Sequence, residues 1–294
     1  MTRTLVTGSA GRLGRSLVTS LAQAGHEVIG VDVTAGTPDD AAATLPADLT
    51  DLGEAYDVMT RFRPDVVVHL AAIATPFSRT EGVIFRTNTQ LAFNVCEAAS
   101  NSGVGRVVVA SSPTVIGYGS PSGWLPSYLP IDEEHPTAPW NAYSLSKVVA
   151  EQTMAAFARS SETRFAAVRP CFVVAPEEWA GAPTQSGHTI LERLDRPEIA
   201  GVSLFNYIDA RDASDMIGTL VERLPGLPSG EIFFAGAADA LARRPLAELL
   251  PAVMPGTGGQ AHVLTDSLPA FTSAKAARLL GWTAKRSWRT ELEI

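Results

Sequence analysis

The sequence predicts an α/β fold with a doubly wound parallel sheet and a smaller C-terminal part. Three observations predict it: short β-branched runs alternate with longer helical stretches, the strand candidates are apolar along their whole length, and the alternation ends after residue 170. Strands that are apolar on both faces are typical of a parallel sheet covered by crossover helices. The composition, 46% hydrophobic and 18% charged, is that of a globular protein.

Five runs are predicted as strands because they are rich in valine and other residues that favour extended backbone. They are residues 4–7, 27–33, 65–70, 106–112 and 164–170. Helices are predicted at 12–24, 51–61, 86–100 and 141–159. Gly25 follows the first of these helices, as glycine commonly does at a helix C-terminus. The order of elements is that of repeated βαβ units.

The segment TGSAGRLG, residues 7–14, lies between the first strand and the first helix, with Gly8, Gly11 and Gly14 in it. Glycine at these positions permits a tight turn, a close approach of backbone to a pyrophosphate, and close packing of the helix on the strand. The helix N-terminus adds unpaired N–H groups and a positive dipole. The pattern predicts a dinucleotide site of the Rossmann type.

The start of the first helix is expected to complete the pyrophosphate site. Arg12 and Leu13 lie inside the glycine motif, and Arg15 follows it. The two arginines either contact the pyrophosphate or remain solvated.

An acidic residue, Asp32, ends the second strand, 18 residues beyond Gly14. Its carboxylate can accept both hydroxyls of an adenine ribose, and its charge repels the extra phosphate of NADP. Val33 and Thr34 offer no arginine to bind that phosphate. NAD is therefore the predicted cofactor, in preference to NADP.

Charge, hydropathy and cysteine content argue against several other functions. The formal charge of −8 is unfavourable for binding nucleic acid or an anionic membrane. The apolar runs are shorter than the roughly 20 residues of a membrane helix. Strand-like sequence at the very start leaves no room for a signal, so a cytoplasmic protein is expected. Cys96, Cys171 and the five histidines lack the spacing of metal ligands, so no metal is predicted.

The segment WNAYSLSKVVAE, residues 140–151, places Tyr143 and Lys147 four positions apart in a predicted helix. Their side chains therefore share one face, about 5–6 Å apart at Cβ. Hydride transfer makes or consumes an alkoxide, so a proton must move with it, and a phenol that titrates near about 10 suits neutral pH poorly. A neighbouring ammonium favours the phenolate, so we expect Lys147 to lower the pKa of Tyr143.

Several motifs occur in one order along the chain: TGxxGxxG, Asp48-Leu49, HLAA at 69–72, Asn88, SSPTVIG at 111–117 and YSLSK at 143–147. This order resembles the extended short-chain dehydrogenase/reductase superfamily, specifically its NAD-dependent epimerase/dehydratase family. SAKAARLLGW at 273–282 looks like the closing helix of that family, so the resemblance spans nearly the whole chain.

The resemblance implies a catalytic role for three residues. Tyr143 would be the general acid/base that exchanges a proton with the substrate oxygen. Lys147 would bind the nicotinamide ribose. Ser112 would hydrogen-bond the same substrate oxygen, with Ser111 as the alternative.

The resemblance also implies cofactor contacts and an oligomer. The residues expected to line the cofactor, the first two of them beside the adenine, are Asp48, Leu49, Leu70, Ala71 and Ala72. Asn88 would support the helix of the active site, although asparagine also suits a helix cap for local reasons. Helices 86–100 and 141–159 would pair in a homodimer.

We expect the chain to divide into two parts. The stretches 175–187 and 223–261 are rich in proline, glycine and alanine and interrupt the alternation. The NAD-binding Rossmann domain is predicted over 1–170 and 202–222, and a smaller substrate-binding region over 171–201 and 223–294.

Departures from the family pattern bear on the reaction. Pro113 and Thr114 follow Ser112 at the place of the acidic pair of dehydratases, so dehydration is not expected. Phe172 stands where sugar-nucleotide epimerases usually carry an asparagine, and Phe205 where they carry an arginine that binds the diphosphate. The candidate substitutes for that arginine are Arg193, Arg196 and Arg211.

These departures favour a smaller substrate. The main hypothesis is an NAD-dependent oxidoreductase that transfers hydride between the nicotinamide and a secondary alcohol or ketone carbon of a sugar-like or polyol substrate. The alternative is an NAD-dependent epimerase of a sugar nucleotide. A non-catalytic sensor of the cofactor is disfavoured, because it would not need the tyrosine, lysine and serine together. The candidate substrate contacts are Ser112, Trp124, Phe172, Gln185 and Phe205.

Overall fold

A computed structural model of the protein describes residues 1–34 and 40–292. Its strands are β1 (Arg3–Thr7), β2 (Glu27–Asp32), β3 (Ala43–Pro46), β4 (Val66–His69), β5 (Arg106–Ala110), β6 (Arg164–Pro170), β7 (Val173–Val174), β8 (Ile208–Asp209) and β9 (Glu231–Ala235). Its helices are α1 (Arg12–Gln23), α2 (Leu52–Phe62), α3 (Glu81–Asn101), α4 (Ala142–Ser160), α5 (Pro176–Trp179), α6 (Ile190–Asp195), α7 (Pro197–Gly201), α8 (Ala210–Arg223), α9 (Leu246–Val253), α10 (Gly258–Ala261), α11 (Ala274–Leu280) and α12 (Trp288–Glu291).

Seven strands form one sheet in the order β3-β2-β1-β4-β5-β6-β9, and every neighbouring pair runs parallel. Strands β7 and β8 form a separate parallel pair. The strand order reverses between β1 and β4, and ligands of such sheets bind beside this point, at the carboxyl ends of the strands. The predicted doubly wound fold is confirmed.

The central strands are buried on both faces, as their apolar sequences predicted. Leu5 and Val67 pack into an apolar cluster with α2, α3 and α4, whereas Val6 and Val68 pack into a second cluster with α1 and α8. Alternate residues of a strand point to opposite faces, so each strand contributes to both layers. Among the described residues, no helix is both long and apolar enough to cross a membrane.

Local capping explains where two of the helices begin. The Asp51 side chain accepts a hydrogen bond from the Glu54 backbone and caps α2. Asn141 and Ser144 form a reciprocal capping box that fixes the first turn of α4. The helix predicted at 86–100 starts earlier, at Glu81.

Two strands of the sheet were not predicted. Strand β3 is a short edge strand whose residues alternate between half-buried and exposed, so it lacks the continuous apolar run of its neighbours. Strand β9 pairs with β6 and therefore belongs to the large sheet, whereas its residues were assigned to the smaller region over 223–294. Strand β9 was not predicted because the sequence on both sides of it is rich in proline and glycine. Helix α8 packs on α1. The division into two parts otherwise stays a prediction.

Candidate functional site

A cavity of about 610 Å³ lies at the carboxyl ends of the central strands. The predicted cofactor residues on its wall are Gly8, Gly11, Arg12, Leu13, Gly14, Asp32, Asp48, Leu49, Leu70, Ala71, Ala72, Tyr143 and Lys147. The predicted substrate residues on its wall are Ser112, Phe172 and Gln185. Residues far apart in sequence are thus brought to one place by the parallel sheet.

The first turn is shaped by close backbone contacts at two glycines. Gly8 has a φ of +71°, and a β-carbon there would lie 2.7 Å from the backbone nitrogen of Ala71. A β-carbon at Gly14 would lie 2.1 Å from the carbonyl oxygen of Gly8. At these glycines the first turn meets the cavity with bare backbone, and the N-cap of α1 is Gly11, which has no side chain to cap the first N–H groups. This arrangement fits the pyrophosphate of NAD.

Asp32 lies at the end of β2 on the same wall. Its Oδ2 accepts a hydrogen bond from the Ala10 backbone at 3.1 Å, and its Oδ1 accepts one from the Thr34 backbone at 3.2 Å. These bonds orient the carboxylate and leave lone pairs for further donors. The residue thus fits the hydroxyls of an adenine ribose.

The two arginines of the α1 start bind carboxylates of α5. Arg12 Nε lies 2.6 Å from Glu178 Oε1, and Glu178 is buried. Arg15 Nη2 lies 2.7 Å from Glu177 Oε1 at the surface. Arg12 also lies on the cavity wall, and the Arg12 and Arg15 side chains are 38% and 44% exposed. They tie the first turn of the cofactor cavity to the segment after β7.

Ser112 and Tyr143 form the hydrogen-bonded pair at the centre of the site. Hydrogen bonding with the Ser112 side chain lowers the pKa of the tyrosine. Thr114 Oγ1 donates to Ser112 Oγ at 3.0 Å and orients that hydroxyl. Burial has the larger effect, so the net pKa of Tyr143 is raised. The lowering of the Tyr143 pKa by Lys147 that the sequence predicted is not seen: burial sets the direction of the shift, and the opposing effect comes from Ser112.

Lys147 lies beside this pair. Its Nζ donates to the carbonyl oxygen of Ala110 at 2.8 Å and lies 5.9 Å from the centre of the Tyr143 ring. Burial lowers the pKa of Lys147 to about 8, and the nearby carboxylate of Glu151 opposes that effect. The ammonium is thus held by a backbone oxygen at the end of β5.

Ser111 also lies on the cavity wall, and its hydroxyl is bonded to Glu151. Its Oγ donates to Glu151 Oε1 at 2.6 Å in the buried layer between α4 and the sheet. Of the two serines weighed from the sequence, Ser112 is therefore the one hydrogen-bonded to Tyr143.

Asn88 does not line the cavity, contrary to its place among the predicted cofactor residues. It lies inside α3, so it is not a helix cap either. Its Oδ1 accepts from the Ile73 backbone at 2.8 Å, and its Nδ2 donates to Ser146 Oγ at 3.1 Å. The amide thus joins α3, the loop after β4 and α4, and the supporting role that the resemblance implies stays a prediction.

Trp124 and Phe205 were expected to contact substrate, and both lie outside the cavity wall. Trp124 packs against Gly117 and lies 5.9 Å from the His135 ring. Phe205 is 1% exposed and belongs to the core cluster. Aromatic residues look alike in sequence whether they line a cavity or fill a core, so the sequence could not separate these cases.

Other wall residues were missed from the sequence. Tyr118 is buried and lies on the same cavity wall as Tyr143. Burial raises the pKa of Tyr118. It directly follows the SSPTVIG motif, and that position was the one available signal. Ser203 also lines the cavity and comes from the turn after α7.

Of the three arginines considered as diphosphate ligands, Arg193 is the one in contact with the wall. Its Nη2 donates to Ser203 Oγ at 3.0 Å, and its guanidinium carbon lies 4.2 Å from the centre of the Phe172 ring. Arg196 pairs with Glu198 at the surface, and Arg211 pairs with Asp209. Burial lowers the pKa of Arg193 to about 10.

Among the described residues, no group of three or more His, Cys, Asp or Glu side chains is placed to hold a metal ion. Both cysteines are buried thiols. The chemistry of the site is that of the hydroxyl, phenol and ammonium groups on the cavity wall.

The sequence model of the NAD-dependent epimerase/dehydratase family matches residues 4–236. The chain belongs to this family. The match runs from the second residue of β1 to the residue after β9, so it includes all but the first residue of the seven-stranded sheet and the whole of the tyrosine helix α4.

Curated relatives in the family are named UDP-glucose 4-epimerase. That of Azospirillum brasilense is 34% identical over 158 residues, which are 52% of this chain and 43% of that protein. That of Mycolicibacterium smegmatis is 30% identical over 193 residues, which are 60% of this chain and 58% of that protein. The chain thus spans about half the length of the curated relatives it matches.

Solved structures extend the similarity over nearly the whole chain. A UDP-galactose 4-epimerase has a TM-score of 0.69 at 26% identity, covering 98% of this chain and 95% of that one. The Bordetella bronchiseptica enzyme WbmG, solved in complex with NAD, has a TM-score of 0.67 at 25% identity, covering 97% and 90%. The family, the fold class and the NAD cofactor predicted from the sequence are confirmed.

Proposed function

We propose that this protein uses NAD to oxidise a secondary alcohol carbon of a sugar-type substrate, and that it epimerises a sugar nucleotide. The observation that carries the proposal is the Ser112–Tyr143 hydrogen bond beside Lys147, on the wall of the cavity that also contains Gly8 and Asp32. The proposed proton acceptor, Tyr143, and the residues expected to bind the dinucleotide thus line the same cavity.

The proposed chemistry begins at the substrate hydroxyl. Tyr143 accepts its proton while the carbon loses hydride and the carbonyl forms. Oxidised nicotinamide, when bound, supplies the hydride acceptor. Ser112 donates a hydrogen bond to the same substrate oxygen, and Thr114 orients that serine. The Lys147 ammonium stabilises the phenolate by its charge.

Epimerisation requires that the carbonyl then regains hydride on its opposite face. Tyr143 returns the proton, so the substrate changes configuration and no net redox occurs. The relatives named UDP-glucose 4-epimerase and UDP-galactose 4-epimerase support this outcome over net oxidation. Epimerisation of a sugar nucleotide was the alternative hypothesis drawn from the sequence.

Net dehydrogenation of a smaller sugar or polyol is the second candidate. Phe172 lies on the cavity wall where an asparagine is usual in such epimerases, and Phe205 fills the core instead of supplying a cation. Arg193 is the candidate cation that contacts the wall, so a diphosphate would depend on it. These apolar positions are the observations that favour a smaller substrate.

Cofactor accounting separates the two candidates. We would measure the NAD retained by the purified protein, then follow reduced-nicotinamide absorbance with panels of sugar nucleotides, sugars and sugar acids. Epimerisation predicts retained NAD and interconversion of two sugar nucleotides with steady absorbance. If reduced-nicotinamide absorbance instead rises in proportion to the amount of a free sugar added, the reaction is net dehydrogenation and not epimerisation. Tyr143→Phe is the matched control. If this variant turns over substrate as fast as the wild type, both candidate reactions are refuted.

The predicted homodimer remains a proposal. Phe93 on α3 and Leu145 on α4 are 47% and 43% exposed, and these two helices pack side by side. Large exposed apolar side chains on adjacent helices suit a contact between copies of the chain. Sedimentation at micromolar concentration should give twice the monomer mass, and a monomer would contradict the proposal.

A further inference from the structure

A buried carboxylate lies directly behind the candidate site. Glu151 is 3% exposed and stands one helical turn after Lys147 on α4. Its Oε1 accepts from Ser111 Oγ at 2.6 Å and from Arg169 Nε at 2.7 Å. Its Oε2 accepts from Arg169 Nη2 at 2.9 Å. The carboxylate therefore joins α4 to the ends of β5 and β6.

The Ser111 bond bears directly on the reaction centre. Ser111 stands between Ala110, whose carbonyl oxygen holds Lys147, and Ser112, whose hydroxyl bonds Tyr143. The Ser111 backbone also donates to the Val168 carbonyl at 2.7 Å. Because both its backbone and its side chain are hydrogen-bonded, Ser111 fixes the positions of Ala110 and Ser112 relative to α4.

The charges around Lys147 give Glu151 a second effect. On α4 the titratable groups facing the ammonium are Tyr143 and Glu151, and on β4 it faces His69. Burial lowers the pKa of His69 to about 3, so that ring is neutral at physiological pH. Glu151 thus supplies the anion that favours the ammonium.

Arg169, the partner of Glu151, has its own surroundings. It faces Glu133, which also lies near Lys275. Its guanidinium carbon lies 5.2 Å from the Phe234 ring centre, and its Nη1 is buried without a hydrogen-bond partner. The arginine is therefore incompletely satisfied even in the intact pair.

Stability alone is a poor explanation for this pair. A buried ion pair often contributes no more to folding than a well-packed apolar pair of the same volume. We propose that Glu151 is a positioning residue of the reaction centre: its carboxylate locks Ala110, Ser111 and Ser112 against α4, and its charge keeps Lys147 an ammonium. The catalytic part of this inference rests on the proposed function.

The charge effect can be measured without substrate or cofactor. Lys147, Lys275 and Lys285 are the three lysines of the sequence, so lysine labelled with ¹³C at Cε gives three readily assigned NMR signals. In Glu151→Gln we expect the Lys147 signal to titrate at least about half a pH unit lower than in the wild type. The other two lysines serve as internal references. An unmoved Lys147 midpoint would overturn the charge effect.

The positioning effect needs variants that separate it from folding. Glu151→Met/Arg169→Met replaces the ion pair by apolar side chains and should keep the denaturation midpoint near that of the wild type. Turnover should nevertheless fall at least about tenfold, because Ser111 loses its acceptor. Glu151→Asp should recover part of it. Gln152→Glu, which adds a carboxylate on the exposed face of the same helix, is the matched control and should behave as the wild type.

The outcomes distinguish the inference from the proposed function. A folded double variant with wild-type turnover would overturn the positioning role while the proposed reaction stands. If the wild type turns over no sugar substrate, the proposed function fails, and the lysine titration still decides the charge effect.

Discussion

Lys147 donates a hydrogen bond from its ammonium to the carbonyl oxygen of Ala110, with the two atoms 2.8 Å apart. The bond joins the helix that carries the tyrosine to the strand end that carries the serine. It therefore sets the position of a buried charge whose burial itself is unfavourable.

Lys147→Met should separate stability from activity. The variant removes a buried charge, so the free energy of unfolding should be unchanged or higher, while turnover should fall about 100-fold or more. Urea unfolding and steady-state kinetics check the two parts. Lys285→Met is the control, because that ammonium is exposed. A large loss of stability would show that the ammonium holds the fold together.

Tyr143→Phe should reduce turnover about 100- to 10,000-fold, because it removes the proposed proton acceptor and little volume. NAD affinity should change little. Tyr128→Phe provides the comparison, since its hydroxyl bonds Asp132 in a different part of the chain. Equal effects of the two variants on turnover would exclude a special role for Tyr143.

The pH dependence should follow the lysine. Lys147 carries its proton below about pH 8 and loses it above, so kcat/KM is expected to decline as the pH rises through this value. Lys147→Arg keeps a positive charge at all these pH values, so its residual activity should lack this decline. An identical decline in the variant would assign it to another group.

Asp32→Ala should weaken NAD binding about tenfold or more, since a carboxylate that bonds ribose hydroxyls contributes at least about 1.4 kcal/mol. NADP should bind the variant better than the wild type, because the repulsion of its phosphate is removed. Titration of both cofactors measures the ratio. Asp57→Ala on the exposed face of α2 should leave that ratio unchanged.

Two helical glycines should respond oppositely to alanine. At Gly14 the added carbon would lie 2.1 Å from a backbone oxygen, so Gly14→Ala should destabilise the fold by roughly 1–3 kcal/mol. At Gly218 its nearest neighbour would be Leu21 Cδ2 at 3.8 Å, so Gly218→Ala should stabilise α8 by up to about 1 kcal/mol. Urea unfolding compares them. A stable Gly14→Ala protein would contradict the tight first turn.

Local sequence signals predicted much of the fold and the centre of the site. Apolar runs and glycine punctuation depend on neighbours in sequence, so β1, β2, β4, β5 and β6 were found from the sequence. The spacing of Tyr143 and Lys147 likewise follows from helix geometry, which needs no tertiary information.

Long-range contacts could not be predicted in the same way. Arg12 and Glu178 are separated by 166 positions, and neither sequence context indicates the other. The exposure of Trp124 and Phe205 likewise depends on what packs around them in three dimensions. Strand β9 pairs with β6, and the chain between them contains β7, β8 and helices α5 to α8, so this pairing lies outside any local window.

The Glu151–Arg169 pair also has a consequence for how such a sequence changes over generations. A single substitution of either residue leaves the other charge buried without a partner. This lowers the free energy of unfolding by about 3–5 kcal/mol, which is a large part of the stability of a typical domain. Joint replacement by apolar residues avoids that cost. The two positions therefore form an epistatic pair: a lineage would need both changes nearly together, or a stabilising mutation elsewhere first, to leave this arrangement.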